Sequence, residues 1–339
     1  MAEDEGNLTV IEVVEGQSGQ RLDHIVSESS GMSRSQAQKL IKSGAVLLNG
    51  QPCRPKDSPK PGDKLQFVGA SVLGPTFEAK YLPLNIVYED DDVLVINKEA
   101  GIVVHPGAGT SNATTLIEAV AYYLQSKGAE TLPGDELRPG VVHRLDKDTS
   151  GAMIVAKSLK ALNSLSQQFK DKSNLREYVA LVDGVMTEDV NEVETYLYRD
   201  PRHRTRYTSM SVESFEALDD SKKHGFKLAK STFYHRRTFG NRLSLVQVRL
   251  STGRTHQIRV HSKILKMPIV GDDTYGHPVQ LPHDFPQEAK VALQGVKRQL
   301  LHAKKLGFTH PTTGKKLGFE IPLPEDFKNI LETLTSLSR

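Results

Sequence analysis

Short apolar runs of strand length recur from residue 84 onward without regular alternation with helices, and this pattern most constrains the fold. Parallel sheets need a crossover segment, usually a helix, between successive strands. We therefore predict an α+β fold with a mixed, mostly antiparallel sheet and flanking helices and loops. Strands are predicted at 86–88, 93–97, 153–156, 178–182 and 243–250, and helices near 114–125, 158–170 and 286–295.

The charge distribution divides the chain into a tail, a small domain, a linker and a large domain. Its 339 residues exceed one typical domain. Residues 1–18 carry five acidic and no basic side chains, whereas residues 19–68 carry eight basic and four acidic ones, a net charge of +4. We predict a linker at 69–80 and a larger domain at 81–330. A compact basic module favours a polyanionic partner, with a solvated charged surface as the alternative.

The small domain is predicted to hold two short helices and a hairpin array. Its first helix ends at Gly31, and the second starts from the N-cap Ser33 and ends at Gly44. Asn49-Gly50 predicts a hairpin turn before a last strand at 64–68. The second helix would pack Ala37, Leu40 and Ile41 inward and present a basic face with Arg34, Gln38, Lys39 and Lys42.

Composition excludes several classes of protein. No apolar stretch is long enough for a membrane span, and the acidic start Met1–Gly6 is unlike a basic, apolar leader, so we expect a cytoplasmic protein with no membrane partner. Cys53 is the single cysteine, which rules out an internal disulfide and a cysteine-rich zinc site.

The segment Val142–Gly151 is the most informative motif of the chain. An apolar strand leads into His143-Arg144-Leu145-Asp146, and the Asp-Thr-Ser-Gly sequence that follows predicts a turn. Such a loop holds a carboxylate at the edge of a sheet between basic residues. For an isolated aspartate, capping of backbone amides in a plain turn would be the preferred interpretation.

Several ordered motifs together resemble the RluA family of pseudouridine synthases. The central motif is followed by a second around Tyr178 and a third at Thr252–His261. The segment Gln20–Asp63 resembles the S4 RNA-binding domain, and the match extends over roughly residues 20 to 325. Within the family the chain is most similar to the RluD type, which implies a pseudouridine synthase fold plus a small α/β S4-like domain. It also implies a large-subunit (23S) ribosomal RNA target, with the helix 69 stem-loop as the expected site.

The resemblance also implies roles for individual residues. Asp146 becomes the catalytic aspartate, Tyr178 the aromatic that lies against the target uracil, and Arg254 the basic partner of Asp146. Arg144 becomes the side chain that fills the gap left by an extruded base. Position 176 is Arg where many members of the family have Lys.

The chemistry supports these roles independently. Pseudouridine formation breaks the N1–C1′ bond and joins C5 to C1′ with no redox step and no lost atom, so no cofactor is expected. An ionised carboxylate suits positive charge growing at C1′, and an aspartate beside an arginine should be ionised at neutral pH. Attack at C1′, addition to the base and removal of the C2′ proton all remain open. Extruding the uracil costs a few kcal/mol, which stacking on an aromatic offsets.

Three other features of the sequence have simpler interpretations than a functional site. His256 and His261 would face opposite sides of a predicted strand and lack a third ligand, so no metal site is expected. The glycine-containing segment from Gly107 and Gly109 to Thr115 does not end in the Gly-Lys-Ser/Thr sequence of a phosphate-binding loop, so no nucleotide site is expected. The basic run Arg202, Arg204 and Arg206 lies in a predicted loop, where RNA phosphate contact and mere solvation are equally plausible.

Two competing functions stay open from the sequence. A non-enzymatic RNA-binding ribosome assembly factor would explain the basic module but would not need Asp146, Tyr178 and Arg254 together. A base-releasing nucleosidase also attacks a glycosidic bond with a carboxylate, but it would release free uracil. We expect a monomer whose partner is ribosomal RNA, free or in an assembling subunit.

Overall fold

The computed structural model describes residues 8–30, 34–68, 78–105, 114–128, 132–134, 139–203, 205–283 and 285–336. Ser33, Gly107, Gly109, Arg204 and most of the predicted linker lie outside these ranges. Within them, no helix is both long and apolar enough to cross a membrane. The strands are β1 Leu8–Glu12, β2 Val46–Leu48, β3 Gln51–Pro52, β4 Lys64–Val68, β5 Ile86–Glu89, β6 Val93–Lys98, β7 Ser150–Ala156, β8 Leu175–Asp183, β9 Val190–Arg199, β10 Tyr207–Met210, β11 Lys227–Phe239, β12 Leu243–Leu250, β13 Leu301–Thr309 and β14 Lys316–Glu320. The α-helices are α1 Leu22–Ser30, α2 Arg34–Lys42, α3 Leu116–Ser126, α4 Leu159–Lys170, α5 Val212–Glu216, α6 Gln257–Ile264, α7 Gln287–Gln294 and α8 Glu325–Ser336.

The N-terminal domain is a four-stranded sheet, in the order β1-β4-β2-β3, with two helices. Its core includes Leu22, Ile25 and Val26 from α1. Ala37 and Ile41 of α2 are also buried in it, with Leu40 partly buried against them, which confirms the inward face predicted for the second helix. The turn at Asn49-Gly50 joins β2 to β3 as predicted, with both residues in the left-handed region of the backbone.

The prediction that residues 1–18 form only a tail was wrong for its second half. Strand β1 pairs with β4 along its whole length, from Leu8 opposite Val68 to Glu12 opposite Lys64. Val13 is buried in the small core. Of the five acidic residues only Glu12 lies in β1, and it remains exposed because β1 is an edge strand of the sheet.

The larger domain is a ten-stranded sheet in the order β10-β9-β11-β12-β8-β13-β7-β6-β5, with β14 also paired to β13. Every pairing except β13 with β7 is antiparallel, which confirms the predicted mixed, mostly antiparallel sheet. The strands predicted at 86–88, 93–97, 153–156, 178–182 and 243–250 and the three predicted helices of this domain are present, with ends shifted by a few residues. The strand predicted to carry His256 and His261 is absent, because helix α6 takes its place.

Helices cover both faces of the sheet around its centre. Leu94 and Ile96 of β6 pack with α3 on one face, while Val93 and Val95 pack with α4 on the other. This two-sided burial explains why the central strands are continuous apolar runs. Helix α8 packs Phe327, Ile330 and Leu334 against the sheet, so this domain continues beyond the predicted limit at residue 330.

Candidate active site

The turn that carries Asp146 precedes β7 and is fixed at both ends. Buried Leu145 anchors it, and the backbone N–H of Thr149 donates to the carbonyl of Asp146 at 3.1 Å. Gly151 has a φ of +117°, and a Cβ there would lie 2.2 Å from the carbonyl oxygen of Ala303 in β13. Only glycine therefore lets β7 approach β13 closely enough to hold the turn.

Lys98, at the end of β6, supports this turn from beneath. It is 1% exposed, and its Nζ donates to the carbonyls of Glu99, Ile102 and Lys147 at 2.8, 2.9 and 2.9 Å. Burial lowers the pKa of Lys98 to about 7, against the opposing effect of the Asp148 and Asp146 charges. The sequence alone does not single out this lysine, because an isolated Lys at the end of a strand matches no motif.

Arg298 holds the same turn from the C-terminal part of the chain. Its Nη1 donates to the carbonyl of Asp148 at 3.1 Å, and its Nε and Nη2 bind the carboxylate of Asp326 at 2.6 and 2.8 Å. The sequence did not single out Arg298, because no local motif links it to the Asp146 turn.

Asp146 shares a guanidinium with a second, buried carboxylate. The side chain of Asp146 is 16% exposed, and its Oδ2 lies 3.4 Å from Nη1 of Arg259. Nε and Nη2 of Arg259 bind both oxygens of Asp272 at 2.7 and 2.8 Å. Burial alone would lower the pKa of Arg259, but the hydrogen bonds and charge of Asp272, with the charge of Asp146, raise it. The arginine is thus a fixed cation directed at Asp146.

The assignment of Arg254 as the partner of Asp146 was wrong. Arg254 is exposed, and its Nε donates to the carbonyl of Leu228 at 3.0 Å. The chain turns between the two arginines, because His256 takes a left-handed conformation (φ 57°) and helix α6 begins at Gln257. That helix turns Arg259 inward and leaves Arg254 outside it.

Tyr178 lies in the central strand β8, opposite Val248 of β12 and Ala303 of β13. It is 7% exposed. The pKa of Tyr178 is raised to about 12, mainly by burial; the charge of Arg176 opposes this shift and the charge of Asp146 contributes to it. The phenol is therefore neutral at physiological pH and shares an electrostatic environment with Asp146.

A cavity of about 520 Å³ opens beside Tyr178. Arg144, Arg176 and Arg254 line it, together with Phe169 and Thr252. Arg144 is exposed, and its Nη1 donates to Nε2 of His105 at 3.4 Å. The sequence-predicted residues Arg144, Tyr178 and Arg254 therefore meet at one opening next to the Asp146 turn.

The prediction that His256 and His261 lie on a strand was wrong. His256 is the N-cap of helix α6, and His261 lies within that helix. His256 precedes α6 and its Nδ1 lies 2.8 Å from the hydroxyl of Tyr275. His261 is buried inside α6 between Thr195 and Ser231, at 3.1 and 2.9 Å. Among the described residues, no group of three His, Cys, Asp or Glu side chains could hold a metal ion.

The basic candidates of the N-terminal domain lie on α2. Lys39 and Lys42 are exposed there. Arg34 is half-exposed and pairs with Asp23 at 3.1 Å, and Arg21 binds the same carboxylate at 2.8 Å. Burial would raise the pKa of Asp23, but Arg21, Gln38 and Arg34 lower it strongly. Arg34 therefore stabilises the packing of α1 against α2 as well as contributing charge to the surface.

The basic run between β9 and β10 forms a loop, as predicted. Arg202 is exposed and its backbone N–H donates to Asp200 at 2.8 Å, while Arg206 is half-buried at the start of β10. Arg204, the third candidate in this run, lies outside the described residues.

Comparisons with known proteins agree with this arrangement. A family model described as RNA pseudouridylate synthase matches residues 92–263, and a model of the S4 domain matches residues 20–65. A Xanthomonas campestris pv. campestris protein named ribosomal large subunit pseudouridine synthase D is 38% identical over 323 residues, covering 95% of this chain and 91% of the relative. A Haemophilus influenzae protein of the same name is 36% identical over 327 residues, covering 95% and 94%.

A solved structure shows the same fold. The human protein RNA pseudouridylate synthase domain containing 4 superposes with a TM-score of 0.58 at 23% identity, covering 74% of this chain and 93% of that chain. The likeness confirms the fold expected from the motifs.

Proposed function

The chain belongs to the RNA pseudouridylate synthase family and is an RNA pseudouridine synthase, and from this premise we propose that it isomerises specific uridines of large-subunit ribosomal RNA with Asp146 as the catalytic carboxylate. The observation that carries the proposal is the pairing of Asp146 with Arg259 at 3.4 Å, in the same turn as Arg144, which lines the cavity together with Tyr178. A partly exposed carboxylate fixed by a buried arginine is a prepared reactive group rather than a plain turn cap.

The reaction requires a group that acts while the N1–C1′ bond breaks and the C5–C1′ bond forms. An ionised Asp146 can stabilise positive charge at C1′, attack that carbon, add to the base or accept the C2′ proton. Each route uses the same carboxylate and neither consumes nor releases another atom, so the proposed activity is cofactor-free.

The target uridine must leave its helix to reach Asp146. We assign Tyr178 to stack against the extruded uracil, since it lines the cavity beside the Asp146 turn. Exposed Arg144 lies at the same opening and is assigned to fill the space that the base leaves. Stacking and filling together offset an unstacking cost of a few kcal/mol.

The names of the two relatives support large-subunit ribosomal RNA as the substrate. Within it we propose the helix 69 stem-loop as the target. The S4 domain, with Lys39 and Lys42 exposed on α2, is proposed to bind the RNA backbone. Arg202 and Arg206 are proposed as further phosphate contacts in the larger domain.

The test compares Asp146→Asn with Asp148→Asn in the same turn. Pseudouridines in large-subunit ribosomal RNA are mapped by carbodiimide modification and primer extension after incubation with each variant. Asp146→Asn should abolish product while RNA binding stays within a few-fold, and Asp148→Asn should retain activity. Full activity of Asp146→Asn would refute the assignment, and release of free uracil by the wild type would indicate a nucleosidase.

A further inference from the structure

Arg176 of β8 is a buried cation without a counter-charge. It is 6% exposed, and its Nε has no hydrogen-bond partner. Within the described part of the chain, no carboxylate forms an ion pair with its guanidinium. An uncompensated buried charge is strongly unfavourable, so a cation held in this state requires an anion from outside the chain.

The position of the guanidinium is defined by its neighbours. It lies 5.2 Å from the ring centroid of Phe169, and the ring of His143 also stacks on Phe169, with the centroids 4.7 Å apart. A Cβ at Gly253 would lie 2.5 Å from Nη1 of Arg176, so glycine leaves the space that the guanidinium occupies. These contacts hold Arg176 in place without neutralising its charge.

The cavity that Arg176 lines is cationic. Arg144, Lys170, Lys172 and Arg254 share its wall, and none of the described residues that line it is acidic. Burial lowers the pKa of Arg176, and the charge of Arg254 lowers it further. The neighbouring cations therefore increase the demand for an anion rather than meeting it.

We propose that Arg176 binds a backbone phosphate of the RNA next to the target uridine, an inference that rests on the proposed function. Arg176 and Tyr178 are two positions apart in β8, so both side chains project to the same face of the sheet. A uridine stacked on Tyr178 brings its flanking phosphates to this cavity. A planar guanidinium is suited to phosphate oxygens through paired N–H donors.

The direct test is the salt dependence of binding to transcribed large-subunit ribosomal RNA. Arg176→Met removes the charge, Arg176→Lys keeps it, and Arg249→Met is the matched control. Arg249 is exposed and its strand position, opposite Glu177, places it on the other face of the sheet. For Arg176→Met we expect about tenfold weaker binding and a slope of log K against log salt reduced by about 1.

Arg176→Lys and Arg249→Met should keep the wild-type slope. A wild-type slope for Arg176→Met would overturn the proposal. Because binding is measured without turnover, this result is independent of Asp146. If Asp146→Asn still formed pseudouridine, the catalytic assignment would fail while the phosphate site could still be judged.

The melting temperature of the protein without RNA distinguishes ligand binding from a structural role. Removing an unpaired buried charge should leave the melting temperature of Arg176→Met equal to or above that of the wild type. A decrease of about 2 °C or more would show that Arg176 stabilises the fold and would contradict the proposal.

Discussion

Nη1 of Arg259 lies 3.4 Å from Oδ2 of Asp146, while the other two guanidinium nitrogens of Arg259 are held by Asp272. The buried ion pair with Asp272 has the shorter distances and fixes the guanidinium of Arg259. Asp146 accepts a hydrogen bond from the remaining nitrogen, Nη1. The carboxylate proposed to react is thus positioned by a second carboxylate through a shared cation.

Replacing Arg259 with lysine keeps the positive charge but removes the paired hydrogen bonds that position Asp146 through Asp272. A lysine cannot bind Asp272 through two nitrogens, so we expect the free energy of unfolding to fall by about 1–3 kcal/mol. Misplacement of Asp146 should lower kcat by about 10²-fold. Single-turnover pseudouridine formation and urea unfolding measure the two effects. Arg254→Lys is the control, and a larger loss of kcat there than in Arg259→Lys would restore Arg254 as the partner.

Replacing Lys98 with methionine should loosen the Asp146 turn. Three backbone carbonyls lose their donor, so the free energy of unfolding should fall by about 1–3 kcal/mol or more. Pseudouridine formation should decrease while RNA affinity is kept. Exposed Lys147 in the same turn supplies the control, since Lys147→Met should change stability by less than about 0.5 kcal/mol. Equal stability of the two variants would argue against the role of Lys98.

Replacing Gly151 with alanine should prevent the close pairing of β7 with β13. The added Cβ would meet the backbone of Ala303 at 2.2 Å, and the positive φ is itself unfavourable for alanine. We expect a loss of more than about 4 kcal/mol in the free energy of unfolding, or no folded protein. Gly318→Ala in β14 is matched because nothing lies within 4 Å of its added Cβ. A stable Gly151→Ala protein would contradict this account.

The stability of the protein should fall as pH decreases from about 6.5 to 4.5. Burial lowers the pKa of both His261 and His302 to about 4. Below the unfolded value of about 6.5, the unfolded chain therefore binds protons that the folded chain does not. Stability is complete above this value and declines by up to about 1.4 kcal/mol per pH unit for each histidine.

Urea unfolding at several pH values measures this slope. His261→Gln should reduce the slope of the free energy of unfolding against pH by the contribution of about one proton. Thr195→Val is the control: it removes a hydrogen-bond partner of His261 but keeps the titrating ring, so the slope should remain. An unchanged slope in His261→Gln would show that this histidine is not the source.

The contribution of the N-terminal domain can be tested through one lysine. Lys42 is exposed on α2, and Lys42→Gln should reduce the salt slope of ribosomal RNA binding by about 1 if it contacts a phosphate. Filter binding between 50 and 200 mM salt measures the slope. An identical slope for Lys42→Gln and wild type would place this lysine outside the RNA interface.

The sequence predicted the sheet class and the turn at Asp146, because both depend on local patterns, whereas Tyr178 was proposed only from the family resemblance. The choice between Arg254 and Arg259 could not be predicted, since it depends on a left-handed His256 and on where α6 begins. The segment was expected to be a strand. Even as a helix its pattern does not single out Arg259, because six consecutive residues of α6, Gln257 to Ser262, are buried.

Contacts between distant parts of the chain were also not predictable. Lys98 reaches the carbonyl of Lys147, 49 positions later, and Arg298 reaches that of Asp148, 150 positions earlier. No local motif encodes such pairings. The lack of a partner for Arg176 likewise becomes visible only when its neighbours in space are known.

The parallel pairing of β7 with β13 has a consequence for biosynthesis. The turn bearing Asp146 leaves the ribosome long before β13 and Arg298, the elements that fix it. Contacts so far apart in sequence form slowly, and chains fold from the N-terminus during translation. A nascent chain can therefore complete its N-terminal domain before β13 and Arg298 are available to fix the turn that carries Asp146.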